Sequence, residues 1–209
     1  MIDCYEKLTI GKYDELQLIY ESDESDYEKN VEIVALCNDL EVEDVEGMSL
    51  TTFNTLLQST AFLYEAPKKK IVATKYVLGG TEFDVVMNMG KLTVAQYLDY
   101  QEYIKNPDKN RVELLSIFLI PKGCKYGEGY DMFEIQKIIR ENLSIIDAIA
   151  LTDFFLLLYQ SLMKATLSSL KRRLKRMKRK MKNPQEIAKM EEAIAHLESV
   201  GDGCDLLIR

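Results

Sequence analysis

From Met163 to Met181 the apolar residues Met163, Leu167, Leu170, Leu174, Met177 and Met181 recur at spacings of 4, 3, 4, 3, 4. That rhythm draws one narrow stripe down a helix, an a/d seam that a neighbouring helix must cover. A second stripe follows at Ile187, Met190, Ile194 and Leu197, spaced 3, 4, 3. Between them stands Lys182-Asn183-Pro184, where Asn183 can cap and Pro184 can take the first helical position. Glu186 then falls near the third position of the new helix, where an acid suits the helix dipole. Two apolar stripes joined by so short a break predict an antiparallel helical hairpin.

The same segment is densely cationic. Lys171, Arg172, Arg173, Lys175, Arg176, Lys178, Arg179, Lys180 and Lys182 make nine basic residues out of twelve. The chain carries −7, so removing this +9 leaves −16 for the rest. Eleven acids and one lysine lie between Glu21 and Glu46, giving an acidic front and a cationic back. The second hairpin helix offers Glu186, Glu191, Glu192 and Glu198 against Lys189, so about half of the positive charge is left over. Exposed ion pairs contribute only about 0–1 kcal/mol each, and like charges along a helix repel, so stability does not explain the cluster. The excess points to an anion, and these nine residues are the candidate binding positions. Three sources stay open: acidic protein surface on this chain or a neighbouring copy, nucleic-acid phosphates, or an anionic membrane surface. Nucleic-acid binding would be of the backbone type and steeply salt-dependent. No short recognition helix with a groove-reading set, zinc finger or RNA-recognition motif is present.

The remaining chain reads as a mixed body. Tyr5 to Ile10 suggests a short strand or extended lead-in, Gly11-Lys12 a turn, and Tyr13 to Tyr20 the start of a helix. Tyr27 to Leu40 and residues 50 to 63 follow in helical style. Pro67 and the lysines 68 to 70 mark a break. Ile71 to Leu78 and Glu82 to Asn88 are β-branched and aromatic around Gly79-Gly80-Thr81, a β-hairpin signal. Thr93 is placed to cap a helix that Asn106-Pro107 stops. Residues 111 to 120, "RVELLSIFLI", fit helix or strand equally well. Met132 to about Leu151 reads as one helix, with Phe133, Ile135, Ile138, Ile139, Leu143 and Ile146 on its apolar face. The run "IIDAIALTDFFLLLYQSLM" approaches membrane-span hydropathy, but Asp147 and Asp153 interrupt it. A central carboxylate costs roughly 2.5–3.5 kcal/mol on insertion scales, so a buried core or oligomer helix is expected.

Candidate chemistry is sparse. His196 is the sole histidine, beside Leu197 in the second hairpin helix, and reads as a surface or seam residue. "DESDYE" at 23 to 28 lacks the glycine and terminal glutamate of a calcium loop. "GCKYGEGYD" matches neither phosphate-binding glycine pattern and suggests a mobile or partner-contacting loop. Asp147 and Asp153, six residues apart, fall on different helix faces and do not pair. Cys4, Cys37, Cys124 and Cys204 lie far apart without CxxC spacing, which suggests a reducing compartment and no zinc site. The start lacks a basic, apolar leader, so no secretory signal is expected. No catalytic, cofactor-binding or metal-binding residue is assigned, and the expectation is a protein that is not an enzyme.

Two segments carry a resemblance. "YEKLTIGKYDELQLI", residues 5 to 19, resembles the opening of small proteins from tailed bacteriophages, where a strand leads through Gly-Lys-Tyr into a helix. "ELLSIFLIPKGCKYGEGYD", residues 113 to 131, looks like the middle of the same group, with apolar aromatics such as Phe154-Phe155 in the helix beyond. The group occurs in phages of Bacteroidetes, notably the crAss-like lineage. The resemblance implies a virion or morphogenesis protein made in the host cytoplasm: a structural or cargo component in the portal or tail barrel, near packaged DNA and ejected with it. The alternative it implies is a tail or baseplate assembly chaperone not retained in the particle. Partners would be other virion proteins, further copies in an oligomer or ring, and DNA backbone without sequence preference; a membrane partner is disfavoured.

The resulting expectation is a predominantly helical α+β chain. A mixed body spans 1–155, with its β-hairpin near 71–88. The basic helix and hairpin span 156–200, and a tail spans 201–209.

Overall fold

The structure is a computed structural model that describes the fold of residues 1–68, 70–179 and 184–205, and side-chain surroundings for these except His196 and residues 199–205. It is a predominantly helical α+β protein with a small antiparallel sheet. The chain divides into two units, Met1–Met87 with Thr93–Thr152, and Asn88–Leu92 with Asp153–Arg209.

The first unit begins not with a strand but with turns, and helix α1 (Ile10–Glu21) already contains Gly11 and Lys12. Thr9 explains the early start, because its hydroxyl accepts from the Lys12 amide and caps the helix. A Cβ at Gly11 would lie 3.4 Å from the Arg140 carbonyl oxygen, an ordinary packing contact. Helix α2 (Asp26–Asn38) starts at a capping box in which Ser25 and Glu28 satisfy each other's backbone amides. Part of the "DESDYE" cluster thus serves as a helix start. Helix α3 (Val42–Glu46) is a short element, and α4 (Leu50–Ser59) continues into a 3-10 turn at Ala61–Tyr64. One core cluster joins Ile2, Leu8, Leu16, Ile33, Cys37, Ile145 and Ile146; a second joins Val31, Val34, Ala35, Val45 and Phe53.

Strands β1 (Lys75–Leu78) and β2 (Thr81–Val85) form the expected hairpin, shorter than the apolar runs suggested. Gly79 and Gly80 both have positive φ, 54° and 81°, the backbone a two-residue type I′ turn requires. Helix α5 (Val94–Tyr103) carries a Thr93–Gln96 capping box and ends before Asn106-Pro107. The ambiguous run resolves as both alternatives in succession. Helix α6 (Arg111–Phe118) passes directly into β3 (Leu119–Pro121), which pairs with β2 through Phe83↔Pro121 and Val85↔Leu119. Fully buried residues from Leu114 to Leu119 suit either state, and the free edge of β2 decides where the helix stops.

The single helix expected over 132–151 is two. Helix α7 (Met132–Asn142) ends at Leu143, whose backbone is extended, and α8 (Ile145–Arg179) begins after Ser144. Hydrogen bonds from Ile10 N to Leu143 O (3.1 Å) and from Ile145 N to Leu8 O (2.7 Å) hold the break open. Ile135 and Ile139 are buried as expected, whereas Phe133 is 82% exposed and does not belong to that face.

The second unit contains most of α8 and helix α9 (Pro184–Asp205). Pro184 opens α9 and Glu186 sits in its first turn, as the composition of that turn suggested. α8 is long and apolar enough to cross a membrane by length and composition, and half of its most apolar window is buried within the protein.

Candidate functional site

The hairpin seam forms as the apolar spacing dictates. Met163, Met177 and Ile194 are buried, while Leu167, Leu170, Leu174, Ile187, Met190 and Leu197 are half-buried. Two ion pairs fix the direction of packing: Lys171 Nζ to Glu198 Oε1 and Lys178 Nζ to Glu191 Oε1, each 2.6 Å. A step of seven residues forward on α8 is matched by seven backward on α9, which is antiparallel register. Met181, Lys182 and Asn183, and the side chain of His196, lie outside the described residues.

Of the nine candidate anion-binding residues, Lys180 and Lys182 likewise lie outside the described residues. The other seven are all exposed. At 100° per residue, Lys171 and Lys178 flank the seam and clasp the glutamates of α9. Arg172, Lys175, Arg176 and Arg179 fall within an arc of about 100° on the opposite side of the helix from Leu174 and Met177. Arg173 lies on the other flank. Among the described residues, none of these five is paired with a carboxylate; Arg172 donates its Nε to the Ser168 carbonyl at 3.2 Å. An open groove of about 460 Å³ runs beside this surface, with Leu174 on its wall and Lys171, Lys175, Lys178 and Arg179 around it.

The local charge excess is therefore real at the level of side chains. Charge matching by α9 is confined to one flank, and a row of four cations covers about 10 Å of helix length at 1.5 Å per residue. Such a row can meet a linear array of anionic oxygens, and it offers no acceptor or nucleophile for chemistry.

A second polar cluster lies in the first unit, around Asp147, whose partners the sequence did not indicate. Asp147, 9% exposed, stands in the first turn of α8. Its carboxylate accepts from Ser144 Oγ at 2.6 Å, from Lys70 Nζ at 2.7 Å and from Tyr76 Oη at 3.4 Å. Ser144 Oγ in turn accepts from the Asp147 amide at 3.2 Å, so the pair forms the helix start. Burial, with Asp147 nearby, pushes the Tyr76 hydroxyl up to about 12. Ser144 is thus the cap, and the Asp147 carboxylate ties the lysine segment and β1 to the start of α8. Asp153 is exposed. A helix-start residue with all its partners structural has no free face for substrate.

The glycine loop is also anchored. Gly123, Gly127 and Gly129 adopt positive φ, and Tyr126 Oη donates to Asp99 Oδ2 at 2.6 Å. Burial, reinforced by Asp99, raises the Tyr126 pKa. Among the described residues no group of three or more His, Cys, Asp or Glu side chains converges as a metal site would require. No protein-family model matches this chain, and neither the curated proteins nor the solved structures contain a match to it.

Proposed function

We propose that the outward face of the hairpin is a contact for nucleic-acid phosphates, and that the chain is a non-enzymatic structural or cargo component of a tailed-phage particle, placed in the portal or tail region beside packaged DNA. The observation that carries the contact is the position of the unpaired cations. Arg172, Lys175, Arg176 and Arg179 stand together on the side of α8 that the seam leaves free, while the nearer lysines are taken up by α9. Guanidinium groups favour phosphate oxygens because their planar fork makes two charge-assisted bonds at once. The placement in a phage particle is supported by the resemblance of residues 5–19 and 113–131, and further virion proteins and copies of this chain are its proposed partners.

Backbone binding has a measurable signature. Each phosphate neutralised contributes about −0.9 to the slope of log K against log salt concentration on duplex DNA. Replacing Arg172, Arg173, Arg176 and Arg179 with glutamine should flatten that slope by up to about 3.6 units, with little change in thermal stability. An unchanged slope would remove the nucleic-acid contact. Mass spectrometry of purified particles tests the placement: a structural or cargo protein is found in them, and an assembly chaperone is not.

A further inference from the structure

The first unit holds a cleft that the hairpin reading does not use. It has a volume of about 230 Å³ and opens where α1, α6 and α7 meet. Four cations line it, Lys109, Arg111, Lys137 and Arg140, together with the carboxylates Asp14, Asp108 and Glu113. Arg111 is the unusual member. Its side chain is only 12% exposed, and its guanidinium lies 5.9 Å from the centre of the Tyr13 ring. Among the described residues, Arg111 Nε is the one buried side-chain polar atom without a hydrogen-bond partner. Among the described residues its one carboxylate partner is Asp108, 2.9 Å from Nη2, and that side chain is 92% exposed.

A largely buried guanidinium answered by the Tyr13 ring and one solvent-washed carboxylate is incompletely compensated, because a buried charge needs close and complete pairing. Arg140 presents a second guanidinium to the same cleft and is held by Asp14 at 2.7 Å. The first turn of α6, Arg111 to Glu113, also lines it, and the Asn110 side chain donates to the Tyr103 carbonyl instead of capping that turn. Two guanidiniums therefore line one cleft, and its four cations outnumber its three carboxylates.

We propose that this cleft binds a small phosphate-class oxyanion, with Arg111 as the anchor, Arg140 as the second donor and Lys109 and Lys137 adding charge at the rim. Asp108 is then an internal competitor, holding Nη2 of the guanidinium until a better acceptor displaces it. Glu113 opposes the ligand and limits its affinity. This assignment is independent of the hairpin contact.

Titration calorimetry with inorganic phosphate at constant ionic strength tests it, using the full chain with Arg172, Arg173, Arg176 and Arg179 changed to glutamine so that the hairpin does not compete. Saturable 1:1 binding is expected. Arg111→Gln should weaken it about tenfold or more, since a charge-assisted bond is lost. Arg140→Gln should weaken it by a smaller factor, and Asp108→Asn should tighten it several-fold. The gain in Asp108→Asn keeps the test decisive even if Arg111→Gln fails to fold. A flat titration in both the parent and Asp108→Asn overturns the site, as does tightening by Asp108→Asn that persists with Arg111→Gln. Acetate binding as tightly as phosphate would overturn the phosphate assignment. A glycerol phosphate arm separates the sources: equal affinity indicates the free ion, and preference for the ester indicates a phosphorylated small molecule.

Discussion

Charged side chains do different work in the body and in the hairpin. In the body several of them fasten segments far apart in sequence. Lys12 reaches the Asp39 carboxylate and the Leu36 carbonyl, which holds Asp39 at the left-handed end of α2 and keeps its carboxyl below the usual range. Arg140 reaches Asp14, and Lys70 reaches Asp147. In the hairpin two of the seven described cations are fastened and five remain outward. Total charge does not separate these cases. What separates them is whether an acid lies on the face that the apolar packing turns inward.

The largest effect that would sharpen this contrast comes from the body's core. Phe118 is fully buried with its ring 5.6 Å from that of Tyr100, edge to face. Phe118→Ala should cost about 3–5 kcal/mol and lower the midpoint of chemical unfolding accordingly. Leu174→Asp acts on a seam that is only half-buried. It should unzip the hairpin, seen as lost helical circular dichroism, while the cooperative transition of the body survives. Retained helicity and oligomer size in Leu174→Asp would count against the seam.

A middle-sized effect is expected at Asp147. Asp147→Ala keeps the Ser144 cap but takes the carboxylate away from Ser144, Lys70 and the Tyr76 hydroxyl. Buried groups left unpaired cost about 1–3 kcal/mol, and a loss of that size should appear in denaturant unfolding. A loss below 0.5 kcal/mol, on the order of an ordinary surface substitution, would mean that the body's charges are as dispensable for stability as those of the hairpin.

Local signals were legible and long-range ones were not. The a/d spacing, Pro184, the Gly79-Gly80 turn and the Thr93 cap each act within a few residues, and the structure realises all of them. The break between α7 and α8 was hidden because the apolar rhythm runs across it; bonds to Leu8 and Ile10, more than 130 residues away, impose it. Residues 111–120 held two states because their burial is uniform and the end of α6 is set by the β2 edge. Lys70 and Asp147 are 77 residues apart, so no spacing could suggest their contact. Nor could spacing reveal which cations of the basic segment α9 would take; that follows from its register.

The smallest stability effect tests the comparison most directly. Glu191 and Glu198 are exposed partners of Lys178 and Lys171. Replacing both with glutamine should change stability by less than about 2 kcal/mol in total, at 0–1 kcal/mol for each exposed pair. It also frees two lysines beside the arginine face. If that face binds DNA phosphates, the variant should bind more tightly at low salt, and its salt slope should steepen by up to about 1.8 units as two more counterions are exchanged. A fastener role for the two pairs predicts the opposite pattern, a clear stability loss with an unchanged slope. The two readouts separate the roles because they respond to different things: unfolding measures what the charges do for the chain, and the salt slope counts the anions they meet outside it.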